Sequence, residues 1–333
     1  MMLTLALLLL CAALIYLSCE YFVNGIEWVG AQYGIARSAV GTVLAAFGTA
    51  LPESVVTFVA VVFGHTAPHK DLGVGAALGG PLVLATIAYA VVGLTFVMTQ
   101  TPQRASLLSR SEAQRLHRDQ VWFLWVFLGK VALGLLAFPL KRWLGLLFLG
   151  VYAVYTRREI QAEHEVGAVE VALEPLKFRP QERHPVPGWV LLQTGLALVV
   201  IFVSSQVFVH QLEAIGPWLG LAPQVVALLL SPLATELPET LNAIIWVRQG
   251  KTTLALGNIS GAMMIQATVP SAFGILFTSW RFDPALIVAA AVTILSIVSL
   301  SRLLRRGAFT GARLAWFGLL YLLFAAGLVV IGR

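Results

Sequence analysis

The sequence predicts an all-α integral membrane protein of about ten transmembrane helices, arranged as two five-helix repeats of inverted topology. Three observations lead there: the composition, the alternation of basic loops along a series of apolar runs, and a proline-glutamate motif that occurs twice. Of the 333 residues, 59% are hydrophobic and only 11% charged. The mean hydropathy of +0.86 is far above what a soluble domain of this length keeps in water. Apolar runs long enough to cross a bilayer, about 20 residues each, recur from end to end and leave no large soluble domain.

The opening run, 2–22, has no basic residue ahead of it and no clear small-x-small site after it, so it reads as a retained helix rather than a signal peptide. Cys11 and Cys19 lie two helical turns apart within it, too far to bridge. Spans follow at 38–64, which carries "FGTALPES", and at 72–99, which opens on glycines. Runs at 120–138 and 142–156 flank Pro139, Lys141 and Arg142, and these two could instead form one re-entrant hairpin. The longest polar stretch, 157–187, is rich in Glu, Arg and Pro and reads as a cytoplasmic linker. Beyond it, spans are expected at 188–210, 222–247, 252–278, 284–303 and 313–332. The organisation is thus a first half, 1–156, the linker 157–187, and a second half, 188–333.

Of the 22 Lys and Arg residues, sixteen fall in the loops after the odd-numbered spans, five lie on the opposite side, and Lys130 sits inside a span. The positive-inside rule places the basic loops in the cytoplasm and both termini outside, in a plasma (inner) membrane. An odd number of spans per half makes the second half enter the membrane in the opposite sense, an architecture of secondary transporters. The net charge of +6 resides in loops rather than on one basic face, which points to anionic lipid headgroups and away from nucleic acid. Oligomeric state is not legible.

"FGTALPES" (47–54) and "LATELPET" (233–240) superimpose with a shift of 186, pairing Thr49 with Thr235, Leu51 with Leu237, Pro52 with Pro238 and Glu53 with Glu239. Each lies in the second span of its half. "GAALGG" (75–80) and "GNISGA" (257–262) superimpose with a shift of 182, in the third spans. Two motif pairs in the same order mark an internal repeat. Proline lacks an N–H, so Pro52 frees a carbonyl around Gly48 and Pro238 one around Ala234. These carbonyls, the hydroxyls of Thr49 and Thr235 and the carboxylates of Glu53 and Glu239 give each half a partial oxygen cage for a hard cation. Glu236 adds a further carboxylate. Glycines at 73, 75, 79, 80, 257 and 261 let neighbouring helices approach closely. A structural kink, or a carboxylate paired with Lys130, would explain either motif alone. A charge at a helix centre costs roughly 2.5–3.5 kcal/mol on insertion scales, and meeting that cost at symmetric places argues for function.

"GTVLAAFGTALPES" and "LATELPET", each followed by a GxxxxG-like stretch, resemble the two repeats of the cation/calcium exchanger superfamily, whose best-known members are sodium/calcium exchangers. The resemblance covers about 38–90 and 224–275. It implies a secondary antiporter working by alternating access, which moves calcium or a related divalent cation in exchange for sodium or protons and uses no cofactor. It further implies that Glu53 and Glu239 coordinate the transported calcium. Neighbouring side chains, here Thr49, Thr235 and Asn258, and backbone carbonyls would complete the sites.

The chain departs from the family pattern. Where members usually carry serine after Gly-Thr, it has Ala50 in one repeat and Glu236 in the other. Where "GNxxGSN" is usual, the first repeat has Ala76, Gly80 and Pro81; the second keeps Asn258 but has Ala262 and Met263. Several neutral ligands expected for sodium are therefore absent, and Gln266 and Asn242 are candidates to replace some. Three carboxylates facing one cavity cannot all stay ionised cheaply, which favours protons over sodium as counter-ion.

Other residues read less sharply. Lys130 is a salt-bridge partner or snorkels toward an end of its span. His65 and His69 stand at i, i+4, but Pro68 between them points to a solvated outer turn. Glu20, Asn24 and Glu27 are interfacial polar residues or draw cations toward a route in. Trp28, Trp189, Trp218 and Trp280 suit interfacial anchors. There is no HExxH, no Gly-x-Ser-x-Gly and no matched cysteine-histidine pair, which argues against an enzyme. A cation channel, or an exchanger for another monovalent or divalent cation, is the alternative.

Overall fold

The structure is a computed structural model that describes residues 2–35, 39–62, 67–99, 108–138, 140–161, 173–215, 218, 229, 231–307 and 309–331. Side chains at 2, 51–53, 55, 56, 59, 60, 67–72, 209, 212, 213, 215, 231, 234 and 329–331 lie outside that description. The described residues form helices and no strands.

Helix α1 is Met2–Gln32, ten residues longer than the expected 2–22. Its polar end persists because the polar side chains there bond residues far along the chain. Asn24 donates to the Pro175 carbonyl at 3.2 Å and accepts from the Lys177 N–H at 3.1 Å. Gln32 donates to the Pro185 carbonyl at 2.6 Å, and Glu27 pairs with Lys251 at 2.7 Å. The described part of the linker, 173–186, is therefore docked on α1, with Trp28 bonded to the Glu174 carbonyl at 2.9 Å and Lys177 paired with Glu20 at 3.1 Å. Those contacts give Glu20, Asn24 and Glu27 a structural role.

The second segment opens with a π-helical turn, Val40–Ala45, and continues as α2, Ala46–Val62. The third is α3, Ala67–Val83, a π-helical turn, Leu84–Ala88, and α4, Tyr89–Thr99. Helix α5, Arg110–Leu135, starts at a capping box in which Ser109 and Glu112 satisfy each other's backbone N–H. A 3₁₀ turn, Lys141–Leu144, leads to α6, Gly145–Gln161, so the polypeptide stays helical past the expected span end at 156. Helix α7, Pro187–Ile215, packs along α1, where Gln193 bonds the Tyr21 carbonyl and the Asn24 side chain, each at 2.9 Å. Part of the expected span 222–247 lies outside the described residues. Its remainder is α8, Ser231–Thr235, and α9, Leu237–Arg248. Helices α10, Thr252–Phe277, and α11, Pro284–Arg305, follow, then α12, Gly311–Ala315, and α13, Gly318–Ile331. Gly250 and Gly307, with φ of 74° and 62°, end α9 and α11 in the left-handed conformation that L side chains avoid.

Among the described residues, six helical segments are long and apolar enough to cross a membrane. Helix α10 is the centre: 83% of its most apolar stretch is buried, against 17% for α1, whose Leu3 and Leu9 face outward. An apolar helix with so much outward surface needs lipid around it. Glycines let the π-helical turn and α2 lie against α10. A Cβ on Gly261 would strike the Thr42 carbonyl and lie 2.7 Å from the Ala46 Cβ, and one on Gly41 would lie 3.1 Å from the Leu254 carbonyl.

Two expectations are overturned here. Trp280 is no interfacial anchor: it is fully buried, with φ 44°, and its indole N–H donates to the Lys130 carbonyl at 3.0 Å. The ring fills the space left by Gly274, and its own carbonyl accepts from Lys141 at 2.8 Å. Lys130 does not snorkel either; its side chain is fully enclosed.

Gly261→Ala is expected to destabilise the protein by about 1–3 kcal/mol through overpacking against a backbone carbonyl. Gly150→Ala, where an added Cβ meets nothing within 4 Å, should leave stability unchanged or slightly raised. Thermal unfolding midpoints of the two purified variants check this; equal midpoints would show that the α2 and α10 contact tolerates a methyl group.

Candidate functional site

The second proline-glutamate motif forms a break between α8 and α9. Glu236 sits in it with φ −87° and ψ 7°, the sparsely populated bridge region that recurs at functional sites. Pro238 lies in the first turn of α9, where its missing N–H costs nothing. The first motif differs: α2 passes through Pro52 without interruption, and its irregularity is the π-helical turn one motif-length earlier. The sequence symmetry is therefore not matched by equal breaks.

Glu236 and Glu239 are both buried, at 0% and 1% exposure. They stand three residues apart, Glu236 in the break and Glu239 in the first turn of α9, and Asn242 follows three residues later on that helix. Glu236 Oε1 accepts from Gln266 Nε2 of α10 at 2.6 Å. Gly80 of α3 closes over this pair: a Cβ there would lie 2.8 Å from Glu236 Oε1 and 2.7 Å from Gln266 Oε1. Gly79 beside it lies against Pro232 of α8. The loss of a side chain at position 80 and the gain of a carboxylate at 236 are thus one change of shape, since both claim the same volume.

Asn258 of α10 is fully buried next to the π-helical turn, where a Cβ on Gly41 would be 3.5 Å from its backbone N. The side-chain amides of Asn258 and Asn242 have no hydrogen-bond partner among the described residues. A buried amide group left so costs about 1–3 kcal/mol unless something else meets it. The Thr49 hydroxyl donates to the Ala45 carbonyl at 3.0 Å and that of Thr235 to the Pro232 carbonyl at 3.2 Å. Both hydroxyl oxygens keep lone pairs for another ligand. Gly48 packs with its Cα toward Phe22 and Leu198. The side chains of Glu53 and Ala234, and the histidines 65 and 69, lie outside the described residues. Among the described residues no three His, Cys, Asp or Glu side chains gather into a metal cluster, so a cation held here draws on amides, hydroxyls and carbonyls as well as carboxylates.

A second buried polar group was not singled out from sequence. Glu159 of α6 pairs with Arg115 at 3.4 Å and accepts from Thr42 at 3.3 Å, and Gln120 donates to Tyr89 and to Ser260, each at 2.9 Å. An open cleft beside it is lined by Thr42, Glu112, Arg115, Asp119 and Gly257. It reaches the turn of α10 that precedes Asn258. The one sequence signal was the presence of Asp119 and Gln120 at the mouth of an apolar run.

Comparison with known proteins agrees with this architecture. The family described as "Sodium/calcium exchanger protein" matches residues 3–159 and 189–331. "Inner membrane protein YrbG" of Escherichia coli (strain K12) is 26% identical over 285 residues, 85% of this chain and 83% of that one. A protein of Alkalimonas amylolytica, provisionally named the antiporter CaxA, is 26% identical over 322 residues, 93% of this chain and 95% of that one. The solved structure of the sodium-calcium exchanger NCX_Mj superimposes with a TM-score of 0.75 at 20% identity, covering 98% of each chain, and shows the shared fold. The family match spans both halves of the molecule, with a gap at 160–188 between them, and on that ground this multi-pass membrane chain belongs to the sodium/calcium exchanger family, a family of antiporters rather than enzymes.

Proposed function

We propose that the protein exchanges calcium, or a related divalent cation, for protons across the membrane, using the layer between α2, α3, α9 and α10 as its binding site. The carrying observation is the pair of fully buried carboxylates, Glu236 and Glu239, together with two buried asparagines, Asn242 of α9 and Asn258 of α10, whose amides lack partners among the described residues. Glu239, Thr49, Thr235, Asn258 and the carbonyls of Gly48 and Ala234 serve as ligands on this reading, with Glu53 as their counterpart from the first repeat. Ten spans in two inverted halves, with both termini outside and 157–187 in the cytoplasm, bring the two proline-glutamate motifs together near the midplane. The antiporter name of the CaxA relative favours exchange, and the sodium-calcium exchange of NCX_Mj favours a cation cargo.

Electrostatics selects the counter-ion. Two buried carboxylates one helical turn apart repel each other when no cation lies between them, and a proton relieves that repulsion. Glu236 stands where relatives of this family usually carry serine, so the feature that distinguishes this chain is the one that handles a proton. Sodium is the second reading, supported by the family description and by the sodium-calcium exchange of NCX_Mj.

Uptake of radioactive calcium into proteoliposomes decides between them. A proton gradient is expected to drive uptake in the complete absence of sodium. Glu239→Gln should lower it about ten- to hundredfold, the size of a lost buried charged contact worth about 1.5–3 kcal/mol. Uptake that follows only a sodium gradient would replace protons by sodium, and uptake that needs no counter-gradient would make the protein a channel.

The shared volume of Gly80 and Glu236 is testable on its own. Gly80→Ser should destabilise the protein, and Gly80→Ser combined with Glu236→Ser should recover part of that loss, with a coupling of at least about 0.5 kcal/mol in thermal unfolding. Strict additivity would mean the two positions do not compete for space.

A further inference from the structure

Lys130 is a buried basic side chain deep in a helix that neither motif explains. It is fully enclosed on α5, and its ammonium donates to the Ala77 carbonyl of α3 at 2.7 Å and to Ser271 Oγ of α10 at 3.2 Å, over the ring of Phe127 at 4.7 Å. The Ala77 carbonyl is available because residue 81, which would supply its helical donor, is a proline. Ser271 in turn donates to the Gln266 carbonyl at 3.1 Å, freed in the same way by Pro270. Gln266 Nε2 bonds Glu236. The Lys130 ammonium thus meets one proline-freed carbonyl directly, at Ala77, and is linked through Ser271 to a second, that of Gln266, whose side chain bonds the carboxylate at the break.

Carbonyls freed in membrane helices, a hydroxyl and a ring face are the surroundings of a bound monovalent cation. We infer that Lys130 is a tethered cation: its ammonium permanently occupies, between α3 and α10, a place that a mobile monovalent cation would otherwise take. This rests on the cation-site reading above and deepens it, because a chain that carries its own monovalent charge has no need of sodium there. The substitution that opens the carbonyl, Pro81, and the residue that fills it belong to one device. A lysine is suited to this, being a compact point charge on a flexible stem.

The test compares calcium-45 binding by the purified full-length protein in sodium chloride and in choline chloride. Native binding should change less than about twofold between the two salts, whereas Lys130→Gln, which keeps a neutral donor for the Ala77 carbonyl, should lose at least about fivefold in sodium as that ion enters the released place. Sodium, and not choline, should also raise the thermal midpoint of Lys130→Gln, and of Lys130→Met as a second variant, by about 2 °C or more. A lysine that merely props the helices apart would give variants of lower stability with no sodium response, and that result overturns the proposal while leaving the cation site standing. Sodium competition in the native chain overturns it equally, whether or not the variants fold. Absence of calcium binding by the native protein would overturn the cation-site reading, and this proposal with it.

Discussion

A carbonyl released inside a membrane protein has to find a donor within the protein, because hydrocarbon offers none. Much of the centre of this molecule follows from that constraint. Pro81 and Pro270 each remove one backbone donor from the helices α3 and α10. The vacancies in hydrogen bonding are met by Lys130 at Ala77 and by Ser271 at Gln266. The first repair reaches from α5 to α3 and the second stays within α10, and because Lys130 also bonds Ser271 the two together tie α3, α5 and α10. Trp280 locks the same junction from the other side through the Lys130 carbonyl.

Close packing is the second condition, and glycine supplies it only where a backbone or a functional group must come near. Gly261 admits the Thr42 carbonyl, and Gly79 admits the ring of Pro232. Gly80 admits the carboxylate of Glu236. At Gly80 the small residue does more than permit helix approach: it leaves room for a charged group that the usual serine would displace. Position 80 and position 236 therefore have to be read together, although they lie in opposite halves of the chain.

The apolar runs, the basic loops and the duplicated motif were legible because each is a local pattern, and helices lie where those runs do. What the sequence concealed depends on partners far along the chain. The extension of α1 to Gln32 requires Lys251, 224 residues from Glu27. The burial of Trp280 requires the carbonyl of Lys130, 150 residues away. Lys130 itself read as a salt-bridge partner or a snorkelling residue because nothing near it in sequence announces the freed carbonyl of Ala77, 53 residues earlier. In the site, Glu236 and Gln266 were both noticed as candidates, but their contact and the role of Gly80 as its lid come only from the packing of three helices. The matching prolines of the two motifs also suggested matching breaks, whereas α2 absorbs its irregularity in a π-helical turn ahead of the proline.

The balance of charge gives a physical reason for exchange over simple conduction. Glu236 and Glu239 are buried one helical turn apart, and each unneutralised carboxylate in such a setting carries a desolvation penalty of several kcal/mol. A rearrangement that carried both charges across the membrane uncompensated would add that penalty to its barrier. A divalent cation removes it, and so do protons; a fixed ammonium on Lys130 offsets part of it in every state. Under the proposed reading the protein can therefore reorient with cargo or with counter-ion, but not with neither. Coupling then arises from the cost of bare carboxylates in a dry layer, and the lysine sets how many mobile charges are needed to meet it.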